Sequence, residues 1–414
     1  MICSTSSSIR PLIVFELVAL LLSSGCASVG GESGATLEDD AGARVESDGS
    51  SAHAEVPLVS GSNLIAVLPV ENLSGGRAPL EVVDRSIRMK LEERKFRIVD
   101  DRAIEEFMKR YRIRNTGSLD SRVLRAIREE TGAEAVLLTS LETYRDTSPP
   151  KISFIFRLVS SGEPAQILWM HGVGLSGEDS PGFLGLGRIE EAEVLLEEAL
   201  EDFVNSLAGC LSEDERASPA FSAGDLRGCV GGAGGSASSR KGRAKRRYRP
   251  RTSFRSQIID TDRRYSVAVI PFLNSSERRN AGRIVALHLV NELVRNQRFA
   301  VIEPGLVREQ LLRYRIIMEA GPSFANAQVL SSDSSLGADL VLSGTVFDYQ
   351  DAIGTPKVDF SVSIIEKQSG QVVWTSRSYN HGDQGVFFFD LGRLRTAHRL
   401  AAEMVKGTCE VLTR

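Results

Sequence analysis

Glu178 and Asp179 stand side by side after a run that reads as a strand, and a pair of carboxylates is the minimum equipment for cleaving a glycosidic bond. Adjacent residues on a strand or loop point apart, however, and the corresponding stretch later in the chain has Asp383 followed by Gln384. The pair is therefore read as structural. The histidines at 53, 171, 288, 381 and 398 are scattered, and each reads as an ordinary core or surface residue. No Gly-x-Ser-x-Gly elbow, phosphate-binding Gly-x-x-x-x-Gly-Lys loop, His-Glu-x-x-His or Cys-x-x-Cys occurs. The expectation is a chain with no catalytic residues, no metal and no cofactor.

A second arrangement is harder to dismiss. Two stretches share one design: a glycine and an acid leave a tryptophan strand, an apolar turn follows, and Leu-Gly-Arg opens a helix. Arginine at a helix start opposes the positive end of the helix dipole, so Arg188 and Arg393 each call for a fixed carboxylate. Glu178 or Asp179 can serve the first and Asp383 or Asp390 the second. A structural clamp and a contact surface for a ligand or partner, including the apolar Phe387 and Phe388, are both open readings.

The third candidate is a basic run, residues 239–251, which includes Lys245, Arg246, Arg247, Arg249 and Arg251. Dense like charge repels itself and stays solvated, so the whole of 211–263, glycine-rich and then basic, reads as a disordered linker. Anionic lipid or lipopolysaccharide is the partner such a run could attach to outside the cytoplasm.

Export is read from the first 25 residues. Leu12–Leu22 is an apolar run interrupted only by Glu16, about the length of a signal-peptide core and too short to span a bilayer. Ser23-Ser24-Gly25 before Cys26 resembles a bacterial lipobox, which makes Cys26 the lipidated residue, with plain secretion as the other reading. Residues 26–62 are poor in large apolar side chains and read as a disordered tether with a span on the order of 30 Å. Cys210 and Cys409, near the ends of two helices, read as buried thiols, with a Cys210–Cys229 disulfide as the alternative. The chain of 414 residues, 42% hydrophobic and 25% charged with a net charge of −4, has room for two folded domains and gives no reason to expect nucleic acid.

The elements that must position these residues are written twice. Leu64-Ile-Ala-Val-Leu-Pro69 returns as Ser266-Val-Ala-Val-Ile-Pro271, each a buried strand ended by proline. Val83, Ile87 and Leu91 fall at helical spacing, a short strand from Phe96 follows, and Ile104, Phe107, Met108 and Tyr111 mark a second helix capped by Asp100 or Asp101. A helix from Ser121 stops at Gly132. Three strands then follow, Ala135–Leu141 interior and Ile152–Val159 and Ile167–Leu175 in outer positions, before a last helix from Ile189. The order is βαβααβββα, an α/β (α+β) fold with a mixed sheet of about five strands per repeat, over residues 63–210 and 264–414. Arg110-Tyr-Arg-Ile113 recurs as Arg313-Tyr-Arg-Ile316, Gly132-Ala-Glu134 as Gly337-Ala-Asp339, and Trp169 as Trp374, all in register.

The strand opening Ala268-Val-Ile-Pro-Phe-Leu-Asn-Ser-Ser276, Arg298-Phe-Ala-Val-Ile-Glu303, Leu336-Gly-Ala-Asp-Leu-Val-Leu-Ser-Gly-Thr-Val346 and Ser369-Gly-Gln-Val-Val-Trp374 resemble the CsgG family of envelope lipoproteins. The unit is also similar to the TolB N-terminal domain and to lipoprotein activators of peptidoglycan synthases. The resemblance implies a lipid-held, periplasm-facing protein of the bacterial outer membrane that scaffolds envelope assembly or secretion. An envelope protein or peptidoglycan is the implied partner, and an oligomer is open. A secretion-channel subunit and a peptidoglycan-acting enzyme or synthase activator are the alternatives.

Overall fold

The computed structural model describes residues 64–179, 187–210, 248–260, 263–296, 298–316, 323–332, 335–351, 354–386 and 392–413. The signal segment, Cys26, the tether, Cys229, Lys245, Arg246, Arg247, Phe387 and Phe388 lie outside them. The described residues all fall within one compact unit, Leu58–Arg414.

The first repeat runs β1 (Leu64–Val67), β2 (Glu71–Asn72), α1 (Leu80–Glu93), β3 (Arg97–Ile98), α2 (Asp101–Tyr111), α3 (Ser121–Thr131), β4 (Ala135–Arg145), β5 (Lys151–Ser160), β6 (Ile167–Ser176) and α4 (Ala192–Ala208). An edge strand β7 (Thr252–Arg255) precedes the second repeat. That repeat runs β8 (Tyr265–Val269), β9 (Leu273–Asn274), α5 (Ala281–Val294), β10 (Phe299–Val301), α6 (Pro304–Arg313), α7 (Phe324–Ser331), β11 (Leu340–Gln350), β12 (Lys357–Glu366), β13 (Val372–His381) and α8 (Ala397–Leu412). The sheets have the same strand order, β3-β1-β4-β5-β6 and β10-β8-β11-β12-β13. The pairings are parallel around β1 and β8 and antiparallel beyond β4 and β11. Two tandem α+β repeats are thus present.

Local chemistry accounts for the helix ends. Asp100 caps α2 by accepting from the Arg102 and Ala103 N–H groups, and Asp120 caps α3 through Val123 N–H. Gly132 ends α3 with φ +72°, a conformation a Cβ would disfavour. Trp169 sits against Phe203 of α4 with ring centroids 5.9 Å apart, so the tryptophan fills the space between sheet and last helix.

Two expectations need correction. Residues 211–263 were to form one disordered linker, yet β7 pairs antiparallel with β13, Trp374 opposite Arg255 and Arg377 opposite Thr252, and Tyr248 is buried in the second core. The physical reason is the free edge of β13, whose unpaired N–H and C=O groups take up a strand. Nor is β5 an outer strand: it lies between β4 and β6 and is buried along its whole length.

That burial comes from the second repeat. Helices α1 and α4 cover one face of the first sheet, while α2 and α3 cover only the β1 and β4 part of the other. The remaining area is closed by α5 and α8, because Leu73, Ile155 and Met170 of the first repeat belong to the core built on those helices. Helix α5 is consequently buried around nearly all of its circumference, the expected fate of a helix apolar on every side. The layers run α1/α4, first sheet, α5/α8, second sheet.

Candidate functional site at the seam between the repeats

The seam buries charge as well as carbon. Lys151 Nζ lies 3.2 Å from Asp351 Oδ1 with both side chains almost fully enclosed. Asp351 also accepts from Thr143 Oγ1 at 3.1 Å and from Ala397 N–H at the start of α8 at 2.9 Å. Arg157 on β5 pairs with Glu303, 3.2 Å away, and Glu303 caps α6 through Gly305 N–H. Burial pushes the Glu303 carboxyl up, against the pull of Arg157. Such pairs give little net stability, but losing one partner strands a buried charge.

At the centre lies a cluster invisible to motif reading. A bulge in β4 between Leu141 and Thr143 leaves Glu142 as the extra residue, and a bulge re-aims a side chain. Glu142 Oε2 is 2.6 Å from His398 Nδ1 on α8, and its Oε1 is 3.4 Å from His288 Nε2 on α5. The two imidazoles meet edge to face with centroids 4.6 Å apart. Burial raises the Glu142 carboxyl, but the two imidazoles outweigh it and hold the group well below the usual carboxylate range. Burial lowers His398 despite the attraction of Glu142. The strand beneath His398 is cleared for it: a Cβ on Gly172 would come 3.0 Å from His398 Nε2, and one on Gly174 only 2.6 Å from Cδ2.

The carboxylates and arginines picked out by sequence meet at one end of the same seam. Arg188 lies 3.3 Å from Glu178, and Arg393 lies 2.7 Å from Asp383, which also accepts from Thr355 Oγ1 at 2.7 Å. The second repeat then reaches across: Arg395 is 2.8 Å from Glu178 and Arg399 is 3.0 Å from Asp179. Burial raises the Asp179 carboxyl against Arg399, whereas the Thr355 hydrogen bond chiefly lowers Asp383. A cavity of about 510 Å³ adjoins these groups, lined by Arg145, Lys151, Glu178, Thr355, Arg393 and Arg395 among others. Within the basic run, Arg251 is tied to the sheet: its N–H donates to Arg377 O and its Nε to Tyr379 O, while Arg249 is half-buried.

His171 is engaged at both nitrogens, with Asp202 Oδ2 at 3.0 Å and Ser206 Oγ at 3.2 Å, which fixes α4 on β6. Cys409 is buried on α8, where burial raises its thiol well above the ordinary value. Glu142, His288 and His398 are the residues motif reading missed. A usable signal does exist, since each stands where the other repeat has a different chemistry: Phe347, Ser86 and Glu193.

No protein-family description and no curated protein matches the chain in sequence. Among solved structures it is similar to the PelC dodecamer from Paraburkholderia phytofirmans, at 18% identity over 38% of this chain and 96% of that one, TM-score 0.25. Lipoprotein GNA1162 from Neisseria meningitidis is 20% identical over 36% of this chain and 99% of its own, TM-score 0.26. The LpoB C-terminal domain from Salmonella enterica is 13% identical over 30% of this chain and 87% of its own, TM-score 0.24.

Proposed function

We propose that this protein is a lipid-anchored, non-enzymatic scaffold or adaptor on the periplasmic side of the bacterial outer membrane, its two repeats acting as one rigid body. The observation that carries this reading is the use made of Glu178 and Asp179. The residues nearest to a glycan-cleaving pair are engaged by arginines, Glu178 by Arg188 and by Arg395 of the second repeat and Asp179 by Arg399 of the second repeat, which supports a joining role. The signal segment and Cys26 support the address.

The channel alternative needs alternating strands of about nine to eleven residues exposed to lipid. Strands β4 and β5 have that length but are buried on both faces, and the open face of β12 and β13 carries Asp359, Ser361, Ser363 and Arg377. No helix among the described residues is long and apolar enough to cross a membrane.

The test is membrane fractionation with metabolic palmitate labelling. Wild type is expected in the outer-membrane fraction carrying label, and Cys26→Ala in the soluble periplasmic fraction without it. An unlabelled wild type removes the anchor. Release of wall fragments by purified wild type, lost in a Glu178→Ala, Asp179→Ala variant, replaces the scaffold with an enzyme.

A further inference from the structure

Three ligand-type side chains converge in the seam, one from the first repeat and two from the second, with their ligand atoms all within 4.8 Å of one another. Glu142 Oε1 and His288 Nε2 face each other across 3.4 Å, and both atoms are buried without a hydrogen-bond partner. A carboxylate oxygen and an imidazole nitrogen that have given up water for a long mutual contact and no well-formed hydrogen bond are costly, the more so when aimed at one spot. A cation between them would satisfy both. Their separation equals the edge of a tetrahedral shell, about 3.3–3.4 Å for metal–ligand bonds of about 2.0–2.1 Å.

The surroundings fit the same reading. The bulge at Glu142 turns its carboxylate into the seam, and the glycines at 172 and 174 clear space for the His398 ring. At the equivalent places the second repeat has Phe347, Arg377 and Tyr379, which would fill that space. The cradle is therefore peculiar to this seam and not a property of the repeat.

We propose that Glu142, His288 and His398 bind a first-row divalent cation of the zinc class, which clamps the two repeats together. Two imidazole nitrogens with one or both oxygens of one carboxylate suit such an ion, whereas Mg²⁺ and Ca²⁺ prefer oxygen-only sets. On binding, the ion takes the place of the proton between His398 Nδ1 and Glu142 Oε2; solvent removes that proton and returns one to Nε2, so the neutral ring only changes tautomer and no net proton is released. His398 then carries its single proton on Nε2. That atom and the Asn291 amide both approach the Cβ position that Gly172 lacks, and Asn291 Oδ1 has no partner, so a flipped amide can accept the proton. All three ligands are buried, so the ion fastens the fold and does not meet substrate.

The test uses the full chain in detergent, stripped with a chelator and titrated with cobalt and zinc chloride. The expected result is one Co²⁺ per chain with the visible absorption of a low-coordinate site, bleached by Zn²⁺. A thermal midpoint raised by Zn²⁺ but not by Mg²⁺ should accompany it. Glu142→Gln and His288→Asn should weaken Co²⁺ binding roughly tenfold or more. Because buried variants can fail to fold, X-ray absorption on zinc-loaded wild type supplies an independent reading, with two imidazoles and carboxylate oxygen in the shell. A shell containing sulfur or lacking imidazole overturns the site. So does wild type that takes up no Co²⁺, or a folded His288→Asn that binds as tightly as wild type.

Discussion

Gly174 on β6 and His398 on α8 touch so closely that a Cβ on the glycine would stand 2.6 Å from the ring carbon Cδ2. Residues more than two hundred positions apart thus set each other's size. Gly174→Ala is expected to destabilise the protein by about 1–3 kcal/mol through overpacking, with Gly172→Ala costing less because its clash is milder. Urea unfolding of the two variants against wild type measures the order; equal stability for all three would mean the seam is looser than the geometry says.

Lys151 and Asp351 form a second bond between the repeats. Lys151→Met leaves the carboxylate buried beside an apolar chain and should cost about 3–5 kcal/mol. Adding Asp351→Asn to that variant should recover part of the loss, since the stranded charge is gone while the Ala397 N–H at the start of α8 keeps an acceptor. A double variant no more stable than the single one would contradict the charge account.

Arg395 and Arg188 hold the same carboxylate from different repeats, and Arg395 is the more enclosed of the two. Arg395→Ala should cost about 1–2 kcal/mol, while Arg188→Ala, closer to a surface pair, should cost about 0.2–1 kcal/mol. Thermal unfolding in low and high salt separates them, because only the exposed pair should weaken noticeably with salt.

Asp84 on α1 is raised to about 6, chiefly by burial and against the Val70 N–H bond and Arg88. A carboxyl whose folded value lies above its unfolded 3.8 binds more protons when folded, so stability falls as pH rises from about 4 to 6 and stays lower above that. Asp84→Asn keeps an acceptor for Val70 N–H and removes the charge. It should flatten this slope and gain about 1–2 kcal/mol at pH 7, a figure discounted for the group's partial exposure. Unfolding curves between pH 4 and 8 decide it, and a variant less stable than wild type at pH 7 counts against the shift.

Much of the architecture is local and legible in the chain itself. Spacing at 83, 87 and 91 marked α1, Asp100 and Gly132 marked helix ends, and the matching landmarks from Pro69 to Trp374 marked the duplication. Arg188 and Arg393 do meet Glu178 and Asp383, but the helix dipole is not the reason: α4 begins at Ala192 and α8 at Ala397, so both arginines lie in the loop ahead of the helix. The strand at 252–255 was hidden because charge density spoke for solvent, whereas an open β13 edge supplied hydrogen bonds that no residue in the run advertises.

Sequence alone determined the order βαβααβββα in two copies, to which the structure adds the two-residue strands β2 and β9, and the helix ends at Asp100 and Gly132, because periodicity, turn residues and caps act within a few positions. Tertiary structure decided that the repeats share a core, that β5 is covered twice, and that Glu142 meets His288 and His398. Those outcomes depend on which face of one repeat lies against the other, and pairs such as 142 and 398 carry no mutual spacing rule. Their trace in the chain is divergence: Gly172 against Arg377, Gly174 against Tyr379 and Glu142 against Phe347 mark where one copy had to admit a neighbour and the other did not.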